Sequence, residues 1–555
     1  MSVLGKKWFI KNHDGQKPIF ERLLENRGLK ELGGIADFHD PHLFNDMEKV
    51  LQRIEKAIQT QEKVVVFGDY DVDGISGTAL LVHILKKVKA NVSYRLPNRL
   101  NDGYGLSLKF IDEFIEENIS LIITVDCGIS CRNEVEKAKS AGVEIIITDH
   151  HTVPEFLPDA FAILHPKLKN STYPFKELTG AGVALKLAHA LINKYLPENE
   201  RQDYLYSLLD LATLGTIADL GSLTDENRLI VMKGLESLTN TKWAGLKKLK
   251  ELASIKEGNK MNTTNIGFQL APRINAAGRI GDPYTALSLL LQEEEGEKVT
   301  QLGDKLESLN KERQLMTEQA LHEAEEIFLN KENLPSILIA HSASWHVGIL
   351  GLVAGKLAEK YGRPAIAMQD FGDTLVASAR SPEYFNIVDA LTHTKSHLIN
   401  FGGHAQAAGF SVSKEKLEEF SKEISDFART NLQNTELKSI LEIDCQLLGE
   451  EIDDELLETI ESLQPFGIDN RKPTFVMKGV EPYFINQVGQ EGNHLKFTVK
   501  NGDKKFPVIA FRMGQFMNQL RQHRKIDLVF QLEKHSWKER EFIQLQALDF
   551  GIPFL

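Results

Sequence analysis

Between Lys63 and Pro166 short apolar runs alternate with amphipathic stretches. The runs are Val64–Phe67, Val92–Tyr94, Leu121–Val125, Glu144–Ile147 and Ala162–Leu164. Most are unbroken and β-branched, the pattern of strands buried on both faces of a sheet. Thr78–Val88, Leu108–Ile119 and Glu134–Ala141 repeat apolar positions at helical spacing. This alternation predicts an α/β domain with a doubly wound parallel sheet. From Leu185 to Leu238 the pattern is helical. Beyond Asp282-Pro283, the positions Leu302, Leu306, Leu309, Leu321, Ala324 and Ile327 predict a long connecting helix reaching Phe328. A second α/β unit opens on the strand Ser336–Ala340. It closes on a helix over Leu417–Leu432, with Leu417, Phe420, Ile424 and Phe427 on one face. From Leu441 short strands and turns, Asn501-Gly502-Asp503 among them, predict a small β barrel.

Acidic clusters sit where apolar runs end. Asp69, Asp71 and Asp73 follow the first strand, Asp126 the third, and Asp149, His150 and His151 the fourth; Asp219 follows the helical segment Thr213–Ala218. Ligands of a doubly wound sheet bind beyond the carboxyl ends of its strands. Several strands therefore deliver carboxylates and imidazoles to one edge, a costly concentration of charge unless cations sit among them. Mixed Asp and His donors suit Mn²⁺ or Mg²⁺, histidine favouring Mn²⁺. So many ligands point to two ions sharing a bridging carboxylate, for which Asp126 is the candidate, an arrangement used in phosphoryl hydrolysis. Asp69 to Gly74 also matches the opening of an EF-hand loop, but that loop's twelfth position is Leu80 and a strand precedes it. Solvated turn acids are the bland alternative, weakened by the Asp-His-His run at another strand end.

Composition changes this picture little. The 555 residues exceed one hydrophobic core. A formal net charge of −13 argues against a protein that coats nucleic acid, although local clusters matter more than the sum. Three cysteines, Cys127, Cys131 and Cys445, make neither a disulfide framework nor a zinc site. No apolar run is long enough to span a membrane, and the first ten residues lack a signal-peptide core. A cytoplasmic chain is the expectation.

Further along, arginines stand among glycines and small polar residues: Arg273, Asn275 and Arg279 in Ala271–Arg279, and Arg380 beside Ser378 and Ser381. Each reads as a structural residue or as part of a phosphate-binding wall. Trp345 reads equally as core or as a stacking platform, and His346 as core or as a phosphate contact. Gly402 and Gly403 before His404 would let backbone approach a strand closely. Arg99 and Tyr104, past the second strand, are placed to line the cleft. Lys496, Phe497, Lys504, Lys505, Phe506, Phe511, Arg512 and Trp537 put basic and aromatic residues among the last strands, as on a single-strand-binding barrel or on any small barrel.

Phe67–Gly74, Val125–Gly128, Asp149–His151 and Ala218-Asp219 resemble the four motifs of the DHH phosphoesterases. Some DHH relatives open the first motif with His; Asp69 takes that place here, as in the RecJ exonuclease branch. Ala271–Arg279, Trp345–Gly351, Gly402–His404 with Ala407–Gly409, and Gln464–Gly467 resemble further motifs of that branch. Ala377–Ser381 does so with two alanines where glycines are usual. The resemblance runs from about residue 15 to the end. It implies a leader over 1–60 packed on the core, a DHH catalytic domain over 61–284, a connecting helix over 285–332, a DHH-associated substrate-binding domain over 333–436 and an OB-fold over 437–555. It implies that Asp69, Asp71, Asp73, Asp126, His150 and Asp219 hold Mn²⁺ or Mg²⁺, that Asp149, His151 and Asp126 serve catalysis, and that His151 faces the phosphate. The activity implied is 5′ to 3′ degradation of single-stranded DNA to mononucleotides, in DNA repair and recombination. The partners implied are a single-strand-binding protein and a helicase, for a chain that acts as a monomer. The alternatives are a DHH phosphodiesterase or phosphatase for very short oligonucleotides, against which residues 440–555 argue, and a non-catalytic single-strand-binding relative, against which the full set of ligands argues.

Overall fold

The structure, a computed structural model, describes residues 2–12, 17–28, 37–99, 101–329, 334–432, 440–489, 491–537 and 540–552. The chain divides into two units, Ile35–Thr435 and Met1–Gly34 with Glu436–Leu555.

The larger unit begins on a five-stranded, all-parallel sheet. Its order is Val92–Arg95, Val64–Gly68, Leu121–Val125, Glu144–Thr148, Ala162–Leu164. As the unbroken apolar runs required, both faces are covered. Val64, Val66, Ile123 and Ile146 join one buried cluster; Val65, Phe67, Ile122 and Ile147 join another on the opposite face. The helix Val72–Lys87 is buried on nearly every side, between the sheet and the helices Gly180–Tyr195 and Glu198–Ala218. Its apolar and small residues on all faces suit that place. A short helix, Pro283–Leu290, precedes the connecting helix, which runs over Glu297–Leu329. The second sheet of this unit has the order Leu398–His404, Ala407–Ser413, Thr374–Arg380, Ala365–Phe371, Leu338–Ser342. Leu398–His404 is an exposed edge strand.

In the smaller unit, Phe475–Val488, His494–Asn501, Lys504–Ala510, Arg540–Gly551 and Ile526–Trp537 pair in turn, and the last returns to the first. This closes a five-stranded barrel around Phe475, Phe497, Phe530, Leu545 and Phe550. Closure removes the unpaired strand edges of an open sheet.

The first sixty residues are not one leader. Lys7–Asn12 pairs in parallel with Ile440–Gln446 beside the barrel, where Trp8 and Ile10 pack against Ile443, Val476 and Val529. Leu23 and Leu24 are buried in the barrel's core. The helix Met47–Thr60 instead buries Met47, Val50, Leu51, Ile54 and Ala57 in the core of the catalytic sheet.

Candidate metal centre

The carboxyl ends of the parallel strands converge, with two helix termini, on one acidic centre. Asp69 follows Val64–Gly68 directly. Asp71 caps the next helix, its Oδ1 accepting from the amides of Asp73 and Gly74 at 3.0 and 3.2 Å. Asp73 crosses to the start of the helix Gly180–Tyr195, where its oxygens accept from the amides of Gly180 and Ala181 at 2.7 and 2.9 Å. Glycine brings helix backbone up to these carboxylates. A Cβ at Gly180 would lie 2.5 Å from the Asp126 Cβ, and one at Gly215 only 2.3 Å from Asp73 Oδ1. Asp219 caps the end of the helix Glu198–Ala218 at the rim of the centre, its side chain 36% exposed.

Three sets of donor atoms lie close enough to share an ion: Asp69, Asp71 and Asp126; Asp73, His150 and Asp219; and Asp126, His150 and His151. His150 Nε2 stands 3.0 Å from Asp126 Oδ1, 3.6 Å from Asp219 and 3.8 Å from Asp73. Asp126 thus takes part in two sets, the place a bridging ligand would hold. All six residues that the sequence offered as ligands meet here.

The donor chemistry fits divalent cations. Asp69 Oδ1, Asp126 Oδ1 and His150 Nε2 are buried with no hydrogen-bond partner, a cost that a bound ion would remove. Burial, followed by neighbouring aspartate charge, drives Asp69 and Asp126 well above the usual carboxylate range. The same causes lift Asp73 to about 7 and Asp219 to about 8. Burial, then the charge of His151, lowers His150 to about 3, leaving it neutral as a ligand must be. Hard oxygens with one or two imidazoles suit Mn²⁺ and Mg²⁺.

These shifts predict a pH signature. A carboxyl whose folded pKa is raised stabilises the fold when protonated, and loses that contribution as pH rises from its ordinary value of 3.8 to its folded value. Between about pH 4 and pH 8, then, the metal-free chain loses stability through these groups. Bound cations reverse the loss and gain affinity as protons leave. The rise in Tm on adding Mn²⁺ should be roughly twice as large at pH 8 as at pH 5.5 or more. Differential scanning fluorimetry with and without Mn²⁺ checks this; a rise equal at both values would refute the shifts.

Asp149 joins none of these donor sets. Its Oδ1 accepts from the amides of His150 and His151 and from His151 Nδ1 at 2.8 Å, and its Oδ2 from the amide of Ile129 at 2.9 Å. Burial opposes its charge, but the bond from His151 and the backbone donors hold it at about 2. Because a carboxylate only accepts, His151 Nδ1 carries the proton and Nε2 is left for other work. Burial is the largest single influence on His151 and lowers it, but the Asp149 bond and the charges of Asp149, Asp219 and Asp73 together outweigh it, so its pKa lies above the ordinary value.

Beside the centre stands a group of guanidiniums. Burial, then the charges of Arg99, Arg313 and Arg380, lowers Arg279 to about 10. Arg279 donates to the carbonyl of Gly348 at 3.2 Å, and Arg380 to Ser378 Oγ and the Ala379 carbonyl. Arg99 lies 4.2 Å over the Tyr70 ring with Nε buried and unpartnered; Arg313 donates to Asn310 while its own Nε is likewise unpartnered. Among the described residues none of the four pairs with a carboxylate, so the cluster calls for an anion. Arg313 had no signal in the sequence: it is one basic residue in a strongly charged helix.

Other candidates fare differently. Arg273 is no phosphate fork. Its Nε donates to Glu307 at 2.7 Å and its two amino groups to the carbonyls of Gln269 and Leu252, so it ties its helix to the connecting helix. Trp345 is buried core, its indole donating to Glu323 at 2.8 Å, and cannot stack on a base. Ser381 Oγ donates to the Phe385 carbonyl at 2.6 Å and shapes a turn. Asn275 and His346 are half-buried; His346 Nδ1 accepts from the amide of Gly348. Gly402, Gly403 and His404 lie exposed on the edge strand. On the barrel, Phe497 and Phe506 are core, whereas Lys496, Phe511 and Arg512 are exposed. Phe484, absent from the sequence argument, is 79% exposed, more than any other described aromatic of the barrel.

Three family models match the chain: the N-terminal domain of the DHH family over residues 63–216, the DHHA1 domain over 334–430 and the RecJ OB domain over 443–549. The single-stranded-DNA-specific exonuclease RecJ of Haemophilus influenzae is 32% identical over 97% of this chain and 96% of its own length. The RecJ of Bacillus subtilis is 37% identical over 93% of this chain, which spans 65% of that relative's length. The crystal structure of RecJ from Thermus thermophilus in complex with Mn²⁺ superposes with a TM-score of 0.84 at 26% identity, covering 99% of this chain and 80% of that one. A second structure of the same protein holds Mg²⁺. With ligand geometry, three domain matches and full-length identity all in agreement, the chain belongs to the RecJ family of DHH phosphoesterases.

Proposed function

We propose that the chain is a single-stranded-DNA-specific exonuclease that works from 5′ to 3′ and releases mononucleotides. The observation that carries this is the meeting of a carboxylate-rich centre with a group of arginines that have no carboxylate of their own. Asp69, Asp71 and Asp126 would hold one divalent cation and Asp73, His150 and Asp219 a second, with Asp126 Oδ1, 3.0 Å from His150 Nε2, placed to serve both. Bound there, Mn²⁺ or Mg²⁺ supplies charge neutralisation and activation of water for in-line displacement at phosphorus. Arg99, Arg279, Arg313 and Arg380 bind and orient the phosphates. His151, steadied by Asp149, presents Nε2 to the reacting phosphate as a proton donor or hydrogen-bond donor. The second sheet contributes Ser378, Arg380 and the exposed Gly402–His404 edge to the strand's path, and the barrel offers Lys496 and Arg512 to single strands.

Catalytic, connecting, DHH-associated and barrel domains over 61–284, 285–332, 333–436 and 437–555 are the division we assign. Among the described residues no helix is long and apolar enough to cross a membrane. We place the enzyme in the cytoplasm, acting as a monomer in repair and recombination. A helicase and a single-strand-binding protein are the partner classes that would produce and hold its substrate.

A 5′-labelled single strand should lose its label at once as a mononucleotide, while a 3′-labelled strand shortens through a ladder and the duplex resists. Label lost first from the 3′ end, or duplex cut as fast, would overturn the reading. If Arg380 meets a phosphate, Arg380→Ala should flatten the log–log salt dependence of binding by roughly 0.7, one single-strand contact's worth.

A further inference from the structure

Tyr104 touches the centre without supplying a ligand to any of the three donor sets. Its hydroxyl donates to the main-chain carbonyl of Asp126 at 3.0 Å. The same oxygen lies 3.3 and 3.2 Å from Nδ1 and Nε2 of His151, and the two rings meet edge to face at 5.6 Å. The tyrosine ring also meets Tyr70 edge to face at 6.5 Å, and Tyr70 carries the Arg99 guanidinium. A continuous line of rings therefore joins the arginine group to His151. Tyr104 sits between Gly103 and Gly105, whose φ of +78° and +75° are left-handed. A Cβ at Gly103 would meet nothing and one at Gly105 only an ordinary contact with Cys127 at 3.7 Å. The glycines are thus needed for backbone direction, which brings the tyrosine hydroxyl to the centre while the residue stays 54% exposed.

Asp126 needs such a hold. It leaves its strand with φ +61°, a conformation that residues with a side chain seldom adopt. That turn is what swings its carboxylate away from the sheet and toward His150. The Asp126 amide is fixed by the carbonyl of Thr148 at 3.0 Å, and Gly180 crowds its Cβ. The Tyr104 hydroxyl secures the remaining end, the carbonyl. Strained backbone at a functional site persists only where its surroundings hold it.

We infer that Tyr104 is a positioning residue: through the Asp126 carbonyl and the His151 ring it keeps the shared carboxylate and the imidazole in register with each other. This rests on the metal-centre reading above and assigns Tyr104 a task other than lining the strand's path.

The test separates hydroxyl from ring. Tyr104→Phe removes the bond and keeps the aromatic face; Tyr104→Leu removes both. In the full chain, Mn²⁺ binding is followed without DNA by the electron paramagnetic resonance of the free ion, and kcat and KM are followed on a single-stranded oligonucleotide. Tyr104→Phe should weaken Mn²⁺ binding about tenfold and lower kcat about ten- to hundredfold, with KM held within about twofold. An unchanged Mn²⁺ isotherm and kcat in Tyr104→Phe would overturn the inference. So would a loss confined to KM and seen only in Tyr104→Leu, which would make the ring a stacking surface for a base. If the wild-type chain cut no single strand, the exonuclease reading would fail, while the Mn²⁺ comparison would still decide the role of Tyr104.

Discussion

Asp126→Asn should lower kcat at least ~10³-fold, about 4 kcal/mol of lost barrier reduction, and at the same time raise the Tm of the metal-free chain. The two effects have one cause. Asp126 is buried among Asp69, Asp71, Asp73 and Asp219, and its ionisation is opposed by burial first and then by those charges. A neutral isostere removes the cost of either ionising or protonating that carboxyl in a crowded site and keeps its volume. Asparagine also tolerates left-handed backbone, so the φ of +61° adds little strain. With metal the balance reverses: the carboxylate common to two of the three donor sets is gone. Substitutions that merely damage a fold lower activity and stability together. Single-strand binding in Ca²⁺ should survive, since the arginine group and the barrel are untouched. Activity within tenfold of wild type, or a lower metal-free Tm, would remove Asp126 from the bridging position.

The parts of this centre that were legible in the sequence are those whose signal is local. Each ligand-bearing segment ends its own strand or helix, so an apolar run followed by Asp or His was enough to bring Asp69, Asp126 and His150 to one edge. The barrel was legible for the same reason, through alternating positions and the turn at Asn501–Asp503. What the sequence hid depends on partners far along the chain. Arg273 looked like a free fork because Glu307, which holds it, lies 34 residues away on another helix. Trp345 was ambiguous until Glu323 on the connecting helix took its indole N–H. Lys7–Asn12 has a two-residue period that suits any half-buried strand, and nothing local says that its partner is Ile440–Gln446. Asp149 stood in the run Asp-His-His as a candidate for direct chemistry. Only the geometry shows its oxygens fully taken up by the amides of Ile129, His150 and His151 and by the His151 ring.

That placement of Asp149 makes the His151 result the sharper one. His151→Ala should reduce kcat by ~10²–10³, the usual worth of one positioned acid–base group, and leave the salt dependence of binding nearly unchanged. A single imidazole beside the reacting phosphate acts mainly in the transition state, whereas backbone charge is met by the arginines. Asp149→Asn should cost nearly as much although it removes no group from the phosphate. The carboxylate accepts from His151 Nδ1 at 2.8 Å, which fixes both ring direction and tautomer and keeps Nε2 turned outward. An amide at that position could offer its nitrogen to Nδ1 and reverse the tautomer. Burial works against the Asp149 charge, yet its donors hold it at about 2; the carboxylate is therefore ionised throughout the range in which the enzyme would be assayed, and the loss in Asp149→Asn should not be recovered by changing pH. The double variant should be scarcely worse than His151→Ala, because Asp149 acts through the histidine. Additive losses in the double variant, or full turnover in His151→Ala, would show that the two residues work independently and would return Asp149 to a direct part in the chemistry.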